Sequence, residues 1–199
     1  MGAETSATVT RSGSTTHLKV SDLLGNVVSY TFTIESTGGN GVVVPGYGFL
    51  LNNELTDFNF NSTTHPNRVE GGKRPRSSMS PTIVLRDGSP FLAVGSPGGS
   101  IITTVLQILV DRLDRGTSLP AAIAAPRASQ RNTPATSAEP AFITSPEAAR
   151  LHARGHVFTP TPEIGAATAV ELLPDGRALA AAEPVRRGGG SARVERPGG

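Results

Sequence analysis

Thr15-Thr16-His17-Leu18-Lys19-Val20-Ser21-Asp22-Leu23-Leu24-Gly25-Asn26-Val27-Val28-Ser29-Tyr30-Thr31-Phe32-Thr33-Ile34 is the stretch on which the fold turns. Two runs rich in β-branched and aromatic residues, 16–20 and 27–34, read as strands. In the second, Val28, Tyr30, Phe32 and Ile34 share one face while Ser29, Thr31 and Thr33 share the other, because side chains alternate along a strand. Leu23-Leu24-Gly25 suits a three-residue hairpin loop with glycine at the left-handed position. Counting outward from Leu24 sets Thr15 opposite Thr33 on one face, and a one-residue slip would part them. Two hydroxyls are therefore expected to meet at the mouth of the hairpin.

Outward from this hairpin, 42–44 and 49–51 are short apolar runs around Pro45-Gly46. Residues 82–85 and 91–94 flank an Asp87-Gly88 turn, a second hairpin signal. Gly95-Ser96-Pro97-Gly98-Gly99-Ser100 then leads into an amphipathic helix from Ile101 to about Asp114. Its buried stripe is Ile101, Val105, Ile108, Leu109 and Leu113, with Ser100 as N-cap. Ser145-Pro146-Glu147 starts a later helix that Gly155 should end. Residues 166–173 and 177–182, around Pro174-Asp175-Gly176, read as a last hairpin. Strand pairs alternating with helices give an α+β fold with antiparallel sheets.

The chain has 199 residues, enough for one domain with a core or for half of a heterodimer. A net charge of +2 with 17% charged residues aims no strong field at nucleic acid or membrane. Absence of cysteine removes disulfides, thiolate metal sites and a Cys nucleophile together. No apolar run approaches the roughly 18 residues that cross a bilayer. The first 13 residues are small and polar, with no signal-peptide core. Past Gly116, alanine, proline and arginine dominate, and 186–199 reads as a flexible tail.

Taken singly, each candidate residue has an ordinary reading. Thr15-Thr16 can be plain strand threonine. A threonine hydroxyl needs a base beside it, and one solution is the chain's own α-amine, freed by cleavage before the threonine and carrying a pKa of roughly 7.7–8. Gly98-Gly99 at a helix start can donate backbone N–H groups to an oxyanion, or can be a tight turn or a phosphate loop, although no Lys-Ser or Lys-Thr follows as a Walker motif requires. Glu35, Glu54 and Asp57 read as solvated loop acids, a site for a substrate ammonium, or one for a hard cation. Ser77-Ser78, after Lys73-Arg74-Pro75-Arg76, offers hydroxyls beside positive charge, which suits a carboxylate, although the basic residues can equally be a solvated loop. His152 and His156 are spaced i, i+4, but Gly155 between them makes both structural or exposed. Asn61-Ser62-Thr63 fits a glycosylation sequon.

Together these segments resemble the small subunit of the γ-glutamyltransferases (γ-glutamyltranspeptidases), which are N-terminal-nucleophile hydrolases. The resemblance lies in Thr15-Thr16-His17 with Tyr30-Thr31-Phe32-Thr33, in residues 51–58 (Leu-Asn-Asn-Glu-Leu-Thr-Asp-Phe), in residues 73–82 (Lys-Arg-Pro-Arg-Ser-Ser-Met-Ser-Pro-Thr), and in residues 95–100, in that order. It implies a four-layer αββα sandwich built by two subunits, with 1–14 as a leader or the end of the large-subunit linker, 15–185 as the catalytic domain and 186–199 as a flexible tail. It implies cleavage between Ser14 and Thr15, and a γ-glutamyl ester on Thr15 released to water or to an amino acid or peptide amine. Thr33 would hydrogen-bond the Thr15 hydroxyl. Glu35, Glu54 and Asp57 would hold the α-ammonium, Ser77 and Ser78 the α-carboxylate, and Gly98 and Gly99 the oxyanion. Substrates would be glutathione and other γ-glutamyl amides; no cofactor, metal, nucleic acid or membrane span is expected, and the family places the protein outside the cytoplasm, secreted or periplasmic.

Three departures accompany the resemblance. Some members carry Asn where Glu35 stands and Gln where Glu54 stands, so this site is more acidic. Residues 59–72 are too few for the lid of many relatives. Only residues 1–14 precede the nucleophile, so a large subunit supplying an arginine for the substrate carboxylate and part of the sheet is expected as a partner. The alternative is an inactive fragment serving at most as a binding domain.

Overall fold

The structure, a computed structural model, describes residues 14–195, so all but Ser14 of the expected 1–14 segment and the last four residues of the expected tail lie outside the described residues. The chain divides into two compact units. One takes in Ser14, Thr15 and Thr33–Arg76; the other takes in Thr16–Phe32 and 77–195.

In the larger unit, β1 (Thr16–Ser21) and β2 (Val27–Phe32) pair antiparallel with Thr16 opposite Phe32 and Ser21 opposite Val27. That is the register counted from Leu24. The Asp22 carboxylate holds the loop by accepting the Leu24 and Asn26 N–H groups at 2.9 Å each. The inward face of this hairpin is polar. His17 is 7% exposed, with Nδ1 2.7 Å from the Thr31 hydroxyl and Nε2 3.3 Å from the Ser29 hydroxyl. The Lys19 amine bonds the Thr168 hydroxyl. Burial disfavours both cations: it lowers His17 to a pKa of about 4, with the Lys19 charge adding to the effect, and Lys19 to about 6. The outward face is apolar, with Leu18, Val20, Val28, Tyr30 and Phe32 between 44% and 57% exposed.

β3 (Thr82–Arg86) and β4 (Ser89–Gly95) form the hairpin expected around Asp87-Gly88, both of which have positive φ. α1 (Ile101–Leu109) buries Ile101, Thr104, Val105 and Ile108. Beyond it Val110–Asp114 is a π turn, not continued α-helix. The wider turn rotates the stripe beyond α1, so Leu113 is 41% exposed instead of in the core, while Leu109, still in α1, packs partly buried against it. Ser100 stands at the N-cap position but its side chain makes no capping bond; its carbonyl accepts the Thr103 hydroxyl instead. α2 (Leu119–Ala124) packs on the same core through Leu119, Ala122 and Ile123.

β5 (Ala128–Ser129), β6 (Thr136–Ala138) and β7 (Phe158–Pro160) make a small sheet in which β6 and β7 run parallel, an exception to the antiparallel expectation. Between them lie α3 (Pro140–Ile143) and α4 (Pro146–His152). Ser145 caps α4 by accepting the Ala148 N–H at 3.1 Å, and Gly155 closes it as expected, bonding His152 O. β8 (Thr168–Leu172) and β9 (Ala178–Ala182) form the last expected hairpin and extend the main sheet in the order β3-β4-β8-β9. The β1–β2 hairpin lies against β4 and β8.

The expected tail is anchored at its start. Arg186 bonds both oxygens of Glu139 and of Glu183. Glu183 in turn lies 3.0 Å from Arg127, and both of those side chains are 1% exposed. Alanine-rich composition hid this network of paired charges.

In the smaller unit, Val44 and Leu51 donate to Phe49 O and Val42 O around a Val43–Leu50 bridge, joining the two short apolar runs. Asn53 N–H bonds Ile34 O, and a single 3-10 turn, Glu54–Asp57, leads to the buried Phe58.

Candidate active site

Thr15 and Thr33 both belong to the smaller unit, and their Oγ1 atoms are 2.9 Å apart. Thr33 Oγ1 also accepts the Glu35 N–H at 2.9 Å, which fixes its rotamer. Ser14, on the other side of Thr15, donates its N–H to Glu35 O at 3.4 Å, and its own hydroxyl is buried without a partner.

Glu35 has φ of 71°, in the left-handed region that non-glycine residues seldom occupy. Its carboxylate accepts the Asn53 amide at 2.7 Å and the Ser36 hydroxyl. The Asn53 carbonyl oxygen accepts the Ser36 N–H at 2.9 Å, so one side chain clamps the Glu35 turn from both ends. Glu54 and Asp57 share the 3-10 turn, where the Asn52 side chain accepts the Glu54 N–H at 3.0 Å. Partial burial raises the Glu54 pKa, and the charges of Asp57 and Glu35 raise it further. Glu54 thus feels the charges of the other two acids, an effect that a cation would relieve. Among the described residues no group of three or more His, Cys, Asp or Glu is placed to hold a metal ion. Nearby in sequence, Lys73 donates to Pro66 O at 2.6 Å, and the backbone of Arg76 to the Asn67 side chain at 3.0 Å, so this basic loop is tied down locally.

In the larger unit, Gly98 and Gly99 stand between the end of β4 and the start of α1. Gly98 has φ of +109°, closed to other residues without strain. Ser96, fully buried, ties this loop down by donating to Pro97 O at 2.9 Å and accepting the Ala166 N–H at 3.1 Å. Ser77 is exposed, and its hydroxyl accepts the Met79 N–H at 3.3 Å; Ser78 is half-buried. His152 and His156 are exposed, as expected, with His152 Nδ1 3.1 Å from His156 O at the helix end.

The γ-glutamyltranspeptidase family pattern matches residues 2–193. The chain belongs to the γ-glutamyltranspeptidase family. It is 43% identical over 162 residues to the glutathione hydrolase proenzyme of Bacillus subtilis strain 168, covering 80% of this chain and 27% of that protein. The match to the Escherichia coli K12 glutathione hydrolase proenzyme is 39% over 185 residues, covering 87% and 32%. The chain thus spans about a quarter to a third of these relatives. Among solved structures, a γ-glutamyltranspeptidase chain from Pseudomonas nitroreducens, complexed with L-DON, superposes with a TM-score of 0.80 at 34% identity, covering 91% of this chain and 100% of that one. The fold is therefore the α+β fold of the N-terminal-nucleophile transpeptidases.

Sequence reasoning missed Asn53 as the clamp on Glu35, although Asn52-Asn53 lies inside the quoted motif. It also missed the role of His17, which no metal pattern would have flagged. For the buried partners Arg127, Glu139, Glu183 and Arg186 there was no local signal, since their pairings span up to 56 residues.

Proposed function

We propose that this chain is the catalytic part of a γ-glutamyl hydrolase and acyltransferase acting on γ-glutamyl amides such as glutathione. The observation that carries the reading is the 2.9 Å contact between the Thr15 and Thr33 hydroxyls, in a chain of this family. Thr15 Oγ1 attacks the Ser14 carbonyl carbon; the Ser14–Thr15 amide becomes an ester and then, with water, a free Thr15 amine and a Ser14 carboxylate. That amine is the base for the next cycle, needing no other side chain. It takes the hydroxyl proton as Oγ1 bonds the γ-carbonyl carbon of the substrate, and returns it to the departing amine. The γ-glutamyl ester so formed is released when water or an acceptor amine attacks it.

Thr33 orients the nucleophile. Glu35, Glu54 and Asp57 neutralise the α-ammonium, with Asn53 fixing Glu35. Ser77 and Ser78 are assigned to the α-carboxylate and the Gly98 and Gly99 amides to the oxyanion, on the family resemblance. A large-subunit partner completes the carboxylate site, and the exposed apolar face of β1–β2 supports a further partner surface on this chain. By the same resemblance the enzyme works outside the cytoplasm; among the described residues no helix is long and apolar enough to cross a membrane.

The test combines this chain with a large subunit, then reads intact mass, the new N-terminus and release of amine from a γ-glutamyl amide. Cleavage before Thr15 with turnover is expected. An uncleaved chain without turnover would sink the reading and favour a non-catalytic fragment.

A further inference from the structure

Arg187 stands out in the larger unit on three counts. Its backbone is left-handed, φ 56° and ψ 34°, a conformation that costs an arginine free energy and that a glycine would adopt freely. The residues around it hold that conformation in place. Arg186 is locked to Glu139 and Glu183, Gly188 N–H bonds Val185 O at 3.1 Å, and Gly190 N–H bonds Glu183 O at 2.7 Å. Arg187 N–H itself donates to Glu163 at 2.9 Å. The strained turn is aimed at the glycine loop: Arg187 Nη1 lies 3.3 Å from the point a β-carbon on Gly98 would occupy, with the Gly165 α-carbon 3.6 Å from the same point.

We propose that Arg187 is a positioning residue for the Gly98–Gly99 loop, packing its guanidinium on the bare α-carbon of Gly98 and fixing a positive charge beside the amides that receive the oxyanion. The inference rests on the acyl-transfer reading above. A fixed cation near the site where negative charge develops stabilises the transition state more than the ground state, because the uncharged carbonyl of the bound substrate gains little from it. Its effect therefore belongs in kcat and not in KM. Gly98 must be glycine on two grounds, its φ and the guanidinium that occupies its side-chain space. The strain at Arg187 then has a function, since a glycine there would turn as easily but carry no charge.

The experiment compares Arg187→Gly, Arg187→Lys and the unaltered chain, each combined with a large subunit, on one γ-glutamyl amide. Arg187→Gly should lower kcat about tenfold, less than loss of a direct oxyanion donor, with KM within about twofold. Its melting temperature should hold or rise, because the left-handed strain is relieved. Arg187→Lys should recover part of the lost kcat by restoring the charge. A kcat unchanged in Arg187→Gly, beside an active unaltered enzyme, overturns the inference alone. So does a rise in KM at constant kcat, which would make Arg187 a substrate-binding group. A lysine variant as slow as the glycine variant, both with lowered melting temperature, reduces Arg187 to a structural part. No turnover by the unaltered enzyme overturns the acyl-transfer reading itself, and this inference with it.

Discussion

The imidazole of His17 fills the space where a β-carbon on Gly95 would stand, coming within 2.2 Å of that point. One contact thus ties the strand that follows Thr15 to the end of β4, three residues before Gly98. The ring cannot easily yield, since Thr31 and Ser29 hold its two nitrogens. Gly95→Ala should cost about 1–3 kcal/mol, as overpacking does. His17→Ala should relieve that cost, giving a coupling of about 0.5–3 kcal/mol in a double-mutant cycle read by denaturant unfolding. Strictly additive losses would show that the two residues do not compete for this space.

A second expectation concerns the paired threonines. In the proposed function one hydroxyl performs both the self-cleavage and the attack on substrate, so Thr15→Ala should abolish both. Thr33→Ala removes a partner that orients the nucleophile and should slow both by about 10- to 100-fold, the scale of a misplaced reacting group. Mass analysis and amide turnover of each variant combined with a large subunit decide it. A processed, active Thr15→Ala protein would remove the nucleophile assignment.

The hairpin register was legible because a three-residue loop and strict alternation leave one pairing that puts Thr15 beside Thr33. The turns at Asp87-Gly88 and Pro174-Asp175-Gly176 and the capped start at Ser145 were legible for the same reason: their signals are local. Which face of the first hairpin turns inward was not. Binary patterning would bury Val28, Tyr30 and Phe32, yet His17, Lys19, Ser29 and Thr31 lie inward, because the polar partners they meet on β4 and β8 come from distant sequence. The π turn after Leu109 was hidden too, since periodicity continues through it. Of the candidate site, the Thr15–Thr33 pair and the acids on one turn were readable; the clamp by Asn53 and the anchoring of Arg186 needed three dimensions.

Lys19 gives a pH signature. Its folded pKa of about 6 lies below the ordinary 10.5, so between those values the unfolded chain binds a proton that the folded chain lacks. Stability should therefore fall as pH drops from about 10.5 to about 6 and then level for this group. His17, lowered from 6.5 to about 4, continues the decline across that lower window. Lys19→Met should raise the melting temperature near neutral pH, by roughly 2–4 °C per kcal/mol recovered in a chain of this size, and the gain should vanish above about pH 10.5. A gain independent of pH would mean that the burial of this charge is not its source.

Glu183 serves two arginines, Arg127 and Arg186, in a site almost closed to water. Glu183→Ala leaves Arg127 uncompensated and should destabilise the chain by about 3–5 kcal/mol. Replacing a solvent-exposed acid of a surface pair, Glu147→Ala, should cost far less, because water screens that pair. Equal costs for the two, measured by the same denaturant unfolding, would mean that the buried network contributes no more than a surface pair.

The last expectation concerns recognition. Glu54 titrates above its ordinary value because partial burial and the charges of Asp57 and Glu35 disfavour its ionised form. A bound α-ammonium would offset the effect of those neighbouring charges, so γ-glutamyl donors should favour the ionised form of Glu54. A glutaryl amide has the same scissile bond and lacks the ammonium. It should be the poorer substrate by roughly 10⁴-fold or more, the scale for a site left with an unpaired polar set. Asp57→Ala should then lower kcat/KM strongly for γ-glutamyl donors and hardly at all for glutaryl donors, because in the proposed function only the former use the carboxylate. A purely structural role for Asp57, which ends the Glu54–Asp57 turn, predicts something different: the turn would loosen for every substrate alike. Asp57→Asn separates the two further, since it keeps the size and hydrogen-bonding reach of the side chain while deleting the charge. If the charge is what matters, the asparagine variant behaves like the alanine variant on γ-glutamyl donors; if the fold of the turn matters, it behaves like the unaltered enzyme. Measuring kcat/KM for both donors on all three proteins, each with its large subunit, distinguishes these outcomes, and equal losses on the two donors would end the assignment of the acids to the ammonium.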